Sequence, residues 1–314
     1  MTHPDVMVVA SWNVDLVTRI PAPLQRGQTQ HGEGLQRLAG GKGSNAAVAC
    51  ARQGARTGLV AAIGDDGFGD MGLALWQQEQ IDARHARRLP GQPNGTALIL
   101  VYDDGDNSIV VVPGANAGLA PEHVQAAQAE LAGARWVMAS CEVPLAAVQT
   151  AFALARAGGA RTLLNPAPAM PLPDALWPLI DVLTPNEGEL AQLSGCAQVD
   201  EGAARLLARG VGALVVTLGA AGCRLYRPGQ APLSVPGHRM AVVDTVGAGD
   251  TFTGALTAAL ARQQDWPQAL ATANAAAALS TLARGALGGM PTLAQTQAFL
   301  AGTPPQTLTS DTGA

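Results

Sequence analysis

Short, almost wholly apolar runs recur along the chain. Between them lie longer stretches whose apolar residues return every three or four positions. The compact runs fall at residues 6–10, 57–63, 136–139, 161–165, 181–184 and 213–218. Such runs suit strands covered on both faces. The helical spacing falls near residues 44–53, 70–80, 121–132, 144–157 and 201–209. Strand and helix in alternation predict a three-layer α/β fold, with a mostly parallel central sheet and helices on both faces. Ligands are expected beyond the carboxyl ends of the strands.

Two segments break this rhythm. Residues 14–39 carry no helical pattern and are rich in Gln, Gly and Pro. Residues 96–112 read as a hairpin around Asp103-Asp104-Gly105-Asp106-Asn107. The two segments are expected to form a small β-sheet lid. The main domain then comprises residues 1–13, 40–95 and 113–314. The acidic turn does not place its glycine as a calcium loop would.

Composition removes other classes. Of 314 residues, 48% are hydrophobic and 14% charged, which argues for a packed core and against disorder. Acidic residues outnumber basic ones, 24 to 19, and no basic run occurs, so nucleic acid is not expected as a partner. The uncharged tract 266–283 contains Gln268, Asn274 and Ser280 and reads as a buried Ala-rich helix, so no membrane span is expected. The opening MTHPDVMVV lacks the basic start of a secretory signal, and the four cysteines lie far apart. Reduced thiols and a cytoplasmic location are expected. The only lysine is Lys42.

The strongest chemical signal is Asp244-Thr245-Val246-Gly247-Ala248-Gly249-Asp250, followed by helical spacing from Phe252 to Leu260. Gly247, Ala248 and Gly249 leave backbone N–H groups open at a helix start, where an anion is favoured. Asp250 places a carboxylate beside them. An anion hole next to a base suits phosphoryl transfer. Gly40-Gly41-Lys42-Gly43-Ser44-Asn45 brings donors and one cation to another helix entrance, without matching a Walker A loop. Asn13 and Asp15 alternate onto one side of an extended segment and suit a polyhydroxyl ligand. In Thr184-Pro185-Asn186-Glu187-Gly188-Glu189, Asn186 and Glu189 share a helix face, where oxygen ligands suit Mg2+. Thr217-Leu218-Gly219-Ala220-Ala221-Gly222 is a glycine loop after a strand, or simply a hairpin turn.

Together these motifs resemble the ribokinase-like (phosphofructokinase-B-type) carbohydrate kinases. Gly40–Ala47 and Asp244–Gly254 match the two family signatures, and Pro113-Gly114-Ala115-Asn116 is similar as well. The resemblance implies ATP-dependent phosphorylation of a sugar's primary hydroxyl, ribose foremost, with deoxyribose, fructose or a nucleoside as alternatives. It assigns Asp250 as the base and the Gly247–Asp250 amides as the anion hole. It puts Asn13, Asp15, Gly41, Lys42, Asn45 and Glu142 around the sugar. Asn186, Thr217, Gly219, Gly222, Gly249 and Asn274 would line the ATP groove, with Glu189 helping to hold Mg2+. Asp244, Val246, Ser280, Ala283, Gly285 and Gly289 would hold a potassium ion, several through carbonyls. The lid would make a homodimer contact. Three positions depart from the family pattern: Val246 for a common Thr, Asn274 for a His in some relatives, and Gly289 for a possible Ser. Trp12 is bulkier than expected and would alter substrate choice.

Overall fold

The structure, a computed structural model, describes residues 3–305. Its strands are β1 Val6–Ala10, β2 Asn13–Arg19, β3 Glu33–Gly40, β4 Thr57–Gly64, β5 Asp82–Leu89, β6 Gly95–Val101, β7 Asn107–Val112, β8 Trp136–Ser140, β9 Arg161–Asn165, β10 Val182–Leu183, β11 Ala213–Thr217, β12 Gly222–Tyr226 and β13 Leu233–Pro236. Its helices are α1 Lys42–Arg52, α2 Gly67–Gln78, α3 Pro121–Gln125, α4 Gln128–Gly133, α5 Leu145–Ala157, α6 Glu187–Ser194, α7 Val199–Leu207, α8 Ala248–Ala261, α9 Trp266–Ser280 and α10 Leu293–Leu300.

Nine strands form the large sheet in the order β13-β12-β11-β10-β9-β8-β1-β4-β5. Seven of them run parallel, and β12 and β13 add an antiparallel edge. Alternation along β1 sends Val6, Val8 and Ala10 into one core with α1, α8 and α9. Met7 and Val9 enter the other core, beneath α5 and α7. This is the expected three-layer arrangement.

A second sheet of four strands, β3-β2-β6-β7, stands apart from the first. Its central pair, β2 and β6, is parallel, and antiparallel β3 and β7 flank it. The chain reaches it directly from β1 and returns through Gly40-Gly41 into α1. Gly41 takes φ +91, and a Cβ there would lie 2.7 Å from the Ser11 carbonyl oxygen. That close approach admits only glycine.

Several elements differ from expectation. Helix α2 starts at Gly67 because Asp66 caps it, accepting from Phe68 N. The 121–132 segment is two short helices, not one; no residue in it dictates the break. Strand β5 is edge structure whose Arg84, Arg87 and Arg88 hide the strand pattern while protecting the open ladder. The loop at Gly219–Gly222, by contrast, follows one of its two expected readings: it is the turn of the β11–β12 hairpin, with Leu218 N donating to Gly222 O.

Candidate active site

The two sheets and two helix N-termini converge beyond the carboxyl ends of β1 and β8. Helix α8 opens on Gly247, whose φ of +77 a side chain resists. A Cβ there would also lie 2.7 Å from Ala286. The tight turn aims the next amides outward. Ala248 N donates to Thr245 O, and Thr251 N closes the first helical turn on Gly247 O. The N–H groups of Gly247, Gly249 and Asp250 have no acceptor among the described residues. Three open donors at a helix start form a receptive site for an anion. A Cβ at Gly249 would meet nothing within 4 Å, so the turn faces open space.

Asp250 lies in that first turn and is 5% exposed. Its Oδ2 accepts from Asn45 Nδ2 at 2.9 Å. Burial pushes its pKa up to about 6, against the lowering pull of Lys42 and Asn45. Asp15 is also raised to about 6, first by burial and then by the charges of Glu142 and Asp250. The Lys42 ammonium is held above its ordinary value, chiefly by Asp250 and also by Glu142, Glu189 and Asp15. Residues 15, 42, 142, 189 and 250 therefore share one electrostatic site, four carboxylates around a single lysine.

Glu142 organises the floor. Its Oε2 accepts from Ser11 Oγ at 2.7 Å and from Lys42 N at 2.8 Å. Ser11 Oγ in turn accepts from Gly43 N. This ties the ends of β1 and β8 to the start of α1. Asn13 and Asp15 come from β2 of the small sheet. Gly40 leaves room for Asp15: a Cβ there would fall 2.4 Å from the carboxylate. Asn45 Oδ1 is buried without a partner. An orphaned acceptor beside the Asp250 carboxylate is a place for a ligand hydroxyl.

Where the resemblance expects the nucleotide, a parallel bridge sets Asn186 beside Thr217. Asn186 and Glu189 cap each other's backbone N–H groups at the start of α6. Gly219 and Gly222 take φ +55 and +100 in the hairpin turn. Asn274 on α9 gives its Nδ2 to the carbonyls of Val235 and Pro236, so that amide is committed to β13.

Among the described residues no three His, Cys, Asp or Glu side chains gather as a metal cage. Glu189 still fits Mg2+, which commonly takes one carboxylate, water and phosphate oxygens. Only its Oε2 is spent, on Asn186 N. The loops at 244–247 and 280–289 fit a monovalent cation. Asp244 joins them, accepting from Val246 N at 3.0 Å and Gly285 N at 2.8 Å. The carbonyls of Val246, Ser280, Ala283, Gly285 and Gly289 have no N–H donor among the described residues.

One expectation is corrected. Trp12 does not wall the site expected for the sugar. Its indole is buried, donates to Phe68 O at 2.9 Å and meets Trp76 edge-on at 5.7 Å. Gly72 makes room for it, and its bulk is absorbed between β1 and α2. Ser11 and Asn116 contact candidate site residues, a role that sequence reasoning missed. Ser11 directly follows a strand, and Asn116 lies in a segment that stands out only for its likeness to the family.

A buried carboxylate against an open N-terminal anion site, on a doubly wound sheet, suits a small-molecule phosphotransferase. The chain belongs to the pfkB family of carbohydrate kinases, whose model matches residues 3–293. It is 36% identical over 298 residues to a ribokinase of Haemophilus influenzae, covering 93% of this chain and 97% of that one. It is 30% identical over 302 residues to a deoxyribokinase of Salmonella typhi, covering 94% and 98%. The Arabidopsis thaliana ribokinase solved with ribose and ATP superposes with a TM-score of 0.90 at 31% identity, over 96% of this chain and 99% of that one.

Proposed function

We propose that this chain transfers the γ-phosphoryl group of ATP to the primary hydroxyl of D-ribose, yielding ribose 5-phosphate and ADP. The observation that carries the reading is the Asp250 carboxylate, held by Asn45 beside the open amides of Gly247, Gly249 and Asp250. The sugar lies between β2 and α1, with Asn13, Asp15, Gly41, Lys42, Asn45 and Glu142 around it. Asp250 takes the hydroxyl proton as the oxygen bonds to γ-phosphorus and the bond to the ADP oxygen breaks. The three free amides hold the charge that develops on the transferred group. Lys42 offsets part of the negative charge crowding the site.

Asn186, Thr217, Gly219, Gly222, Gly249 and Asn274 border the ATP groove. Glu189 would help hold Mg2+, which neutralises the nucleotide's phosphates. The carbonyls near Val246, Ser280, Ala283, Gly285 and Gly289, with Asp244, would hold potassium, which steadies the loop behind the anion site. Residues 14–39 and 96–112 act as the lid, and residues 1–13, 40–95 and 113–314, of which 1–2 and 306–314 lie outside the described residues, as the main domain.

The lid also forms the homodimer contact. Ile109, Val110, Val111 and Val112 of edge strand β7 are 46–58% exposed, an apolar strip with an open ladder. The cysteines at 50, 141, 196 and 223 are free and buried, which suits the cytoplasm, and no helix among the described residues is long and apolar enough to cross a membrane.

An ADP-release assay across ribose, deoxyribose, fructose and nucleosides tests the reading. The highest kcat/KM is expected for ribose, because specificity lies in that ratio. A higher value for deoxyribose would move the assignment to that sugar.

A further inference from the structure

Asn116 lies in a 3-10 turn, Gly114–Gly118, immediately after β7 returns from the small sheet. It is 1% exposed and about a hundred residues from the atoms it binds. Its Oδ1 accepts from Trp12 N at 2.8 Å, and its Nδ2 donates to Trp12 O at 2.9 Å. The second hydrogen on Nδ2 goes to Asn13 Oδ1 at 2.8 Å. Asn116 thus acts as a strand partner for the residue that joins β1 to β2.

The backbone fixes the sense of both amides. Trp12 N can only donate and Trp12 O can only accept, so Asn116 cannot be turned over. Its remaining hydrogen then requires an acceptor, which fixes Asn13 with Oδ1 inward. Asn13 Nδ2 has no partner among the described residues and is left for the sugar site. Gly95 closes the arrangement: a Cβ there would fall 2.0 Å from Asn13 Oδ1 and 2.3 Å from Asn116 Nδ2. A further link between chain segments meets here, since Ala115 N donates to Pro93 O.

We propose that Asn116 is a positioning residue for sugar binding, locking Asn13 so that it presents hydrogen-bond donors to the sugar at the junction of the two sheets. The inference rests on Asn13 belonging to the sugar site. Asn116→Ala is expected to raise the ribose KM about tenfold, the scale of one lost hydrogen bond at a buried site, with the ATP KM unchanged. Asn116→Asp keeps the volume but removes the donor, and the same split is expected. In the double variant, Asn116→Ala should add little to the KM effect of Asn13→Ala. Asn13→Asp leaves Asn116 untouched and replaces the presented donor with an acceptor, so it should raise the ribose KM even if both Asn116 variants fail to fold. Ribose and ATP KM values moving together, full additivity, or an unchanged ribose KM in Asn13→Asp overturns the proposal. If Asn13→Ala leaves the KM of every sugar unchanged, the sugar-site reading itself falls; if it raises that KM and Asn116→Ala does not, only the role of Asn116 falls.

Discussion

Asn45 Nδ2 donates to Asp250 Oδ2 at 2.9 Å across 205 positions of sequence. One residue sits in the first turn of α1 and the other in the first turn of α8. Their bond brings two helix N-termini together and fixes where the Asp250 carboxylate stands.

Asp250→Asn should cut kcat by about 10²–10⁴-fold, the usual worth of a general base. The same change should stabilise the fold. A carboxyl with pKa about 6 in the folded chain and 3.8 as its ordinary value opposes folding above pH 6 by about 3 kcal/mol. That opposition vanishes as the pH falls below 4, because the fold then holds the proton more tightly than the unfolded chain. At pH 7.5 the variant should therefore melt at a higher temperature than the wild type, as scanning calorimetry would show. A variant with near-normal turnover would remove Asp250 from the mechanism.

The acid limb of kcat/KM should fall near pH 6, where the Asp15–Asp250 cluster takes up protons. Lys42 pulls both carboxyls down, so Lys42→Met should move that limb to higher pH. Rate profiles from pH 5 to 8 measure this, and a limb that stays in place would mean another group titrates.

Gly249→Ala and Gly41→Ala should separate function from folding. A methyl at Gly249 meets no protein atom, so its melting temperature should stay within about 2 °C while kcat falls about tenfold or more, because the methyl stands beside the phosphoryl position. A methyl at Gly41 meets the Ser11 carbonyl at φ +91 and should cost about 1–3 kcal/mol of stability. Equal losses of stability in both would contradict the distinction.

Exchange of potassium for lithium at constant ionic strength should lower kcat. Asp244→Ala should raise the potassium concentration needed for half-activation, since Asp244 joins the 244–247 turn to Gly285. Indifference to the cation in both proteins would count against the carbonyl site.

Val110→Arg on β7 should halve the mass measured by light scattering while leaving the ATP site intact. An unchanged mass would place any dimer contact elsewhere.

The chemistry concentrated at 40–45 and 244–250 is legible in the sequence, because each motif carries its glycines, its helix start and its polar group within one short segment. The parallel sheet is legible for a related reason: strands such as β1 are apolar on both faces. Strand β5 is hidden by Arg84, Arg87 and Arg88, whose place is the open sheet edge. The inward turn of Trp12 depends on the space at Gly72, sixty positions away, which only packing reveals. The hold of Asn116 on Asn13 is likewise a matter of tertiary distance, and no local pattern announces it.

Asn13 and Asp15 belong to the small sheet, whereas Asn45 and Asp250 belong to helices packed on the large one. An acceptor in the proposed site would thus be held between two bodies joined at a seam. A pentose in the proposed site would touch both halves at once; a water molecule would not. On the proposed site, water would be refused by its size alone, with no group devoted to guarding the nucleotide against it.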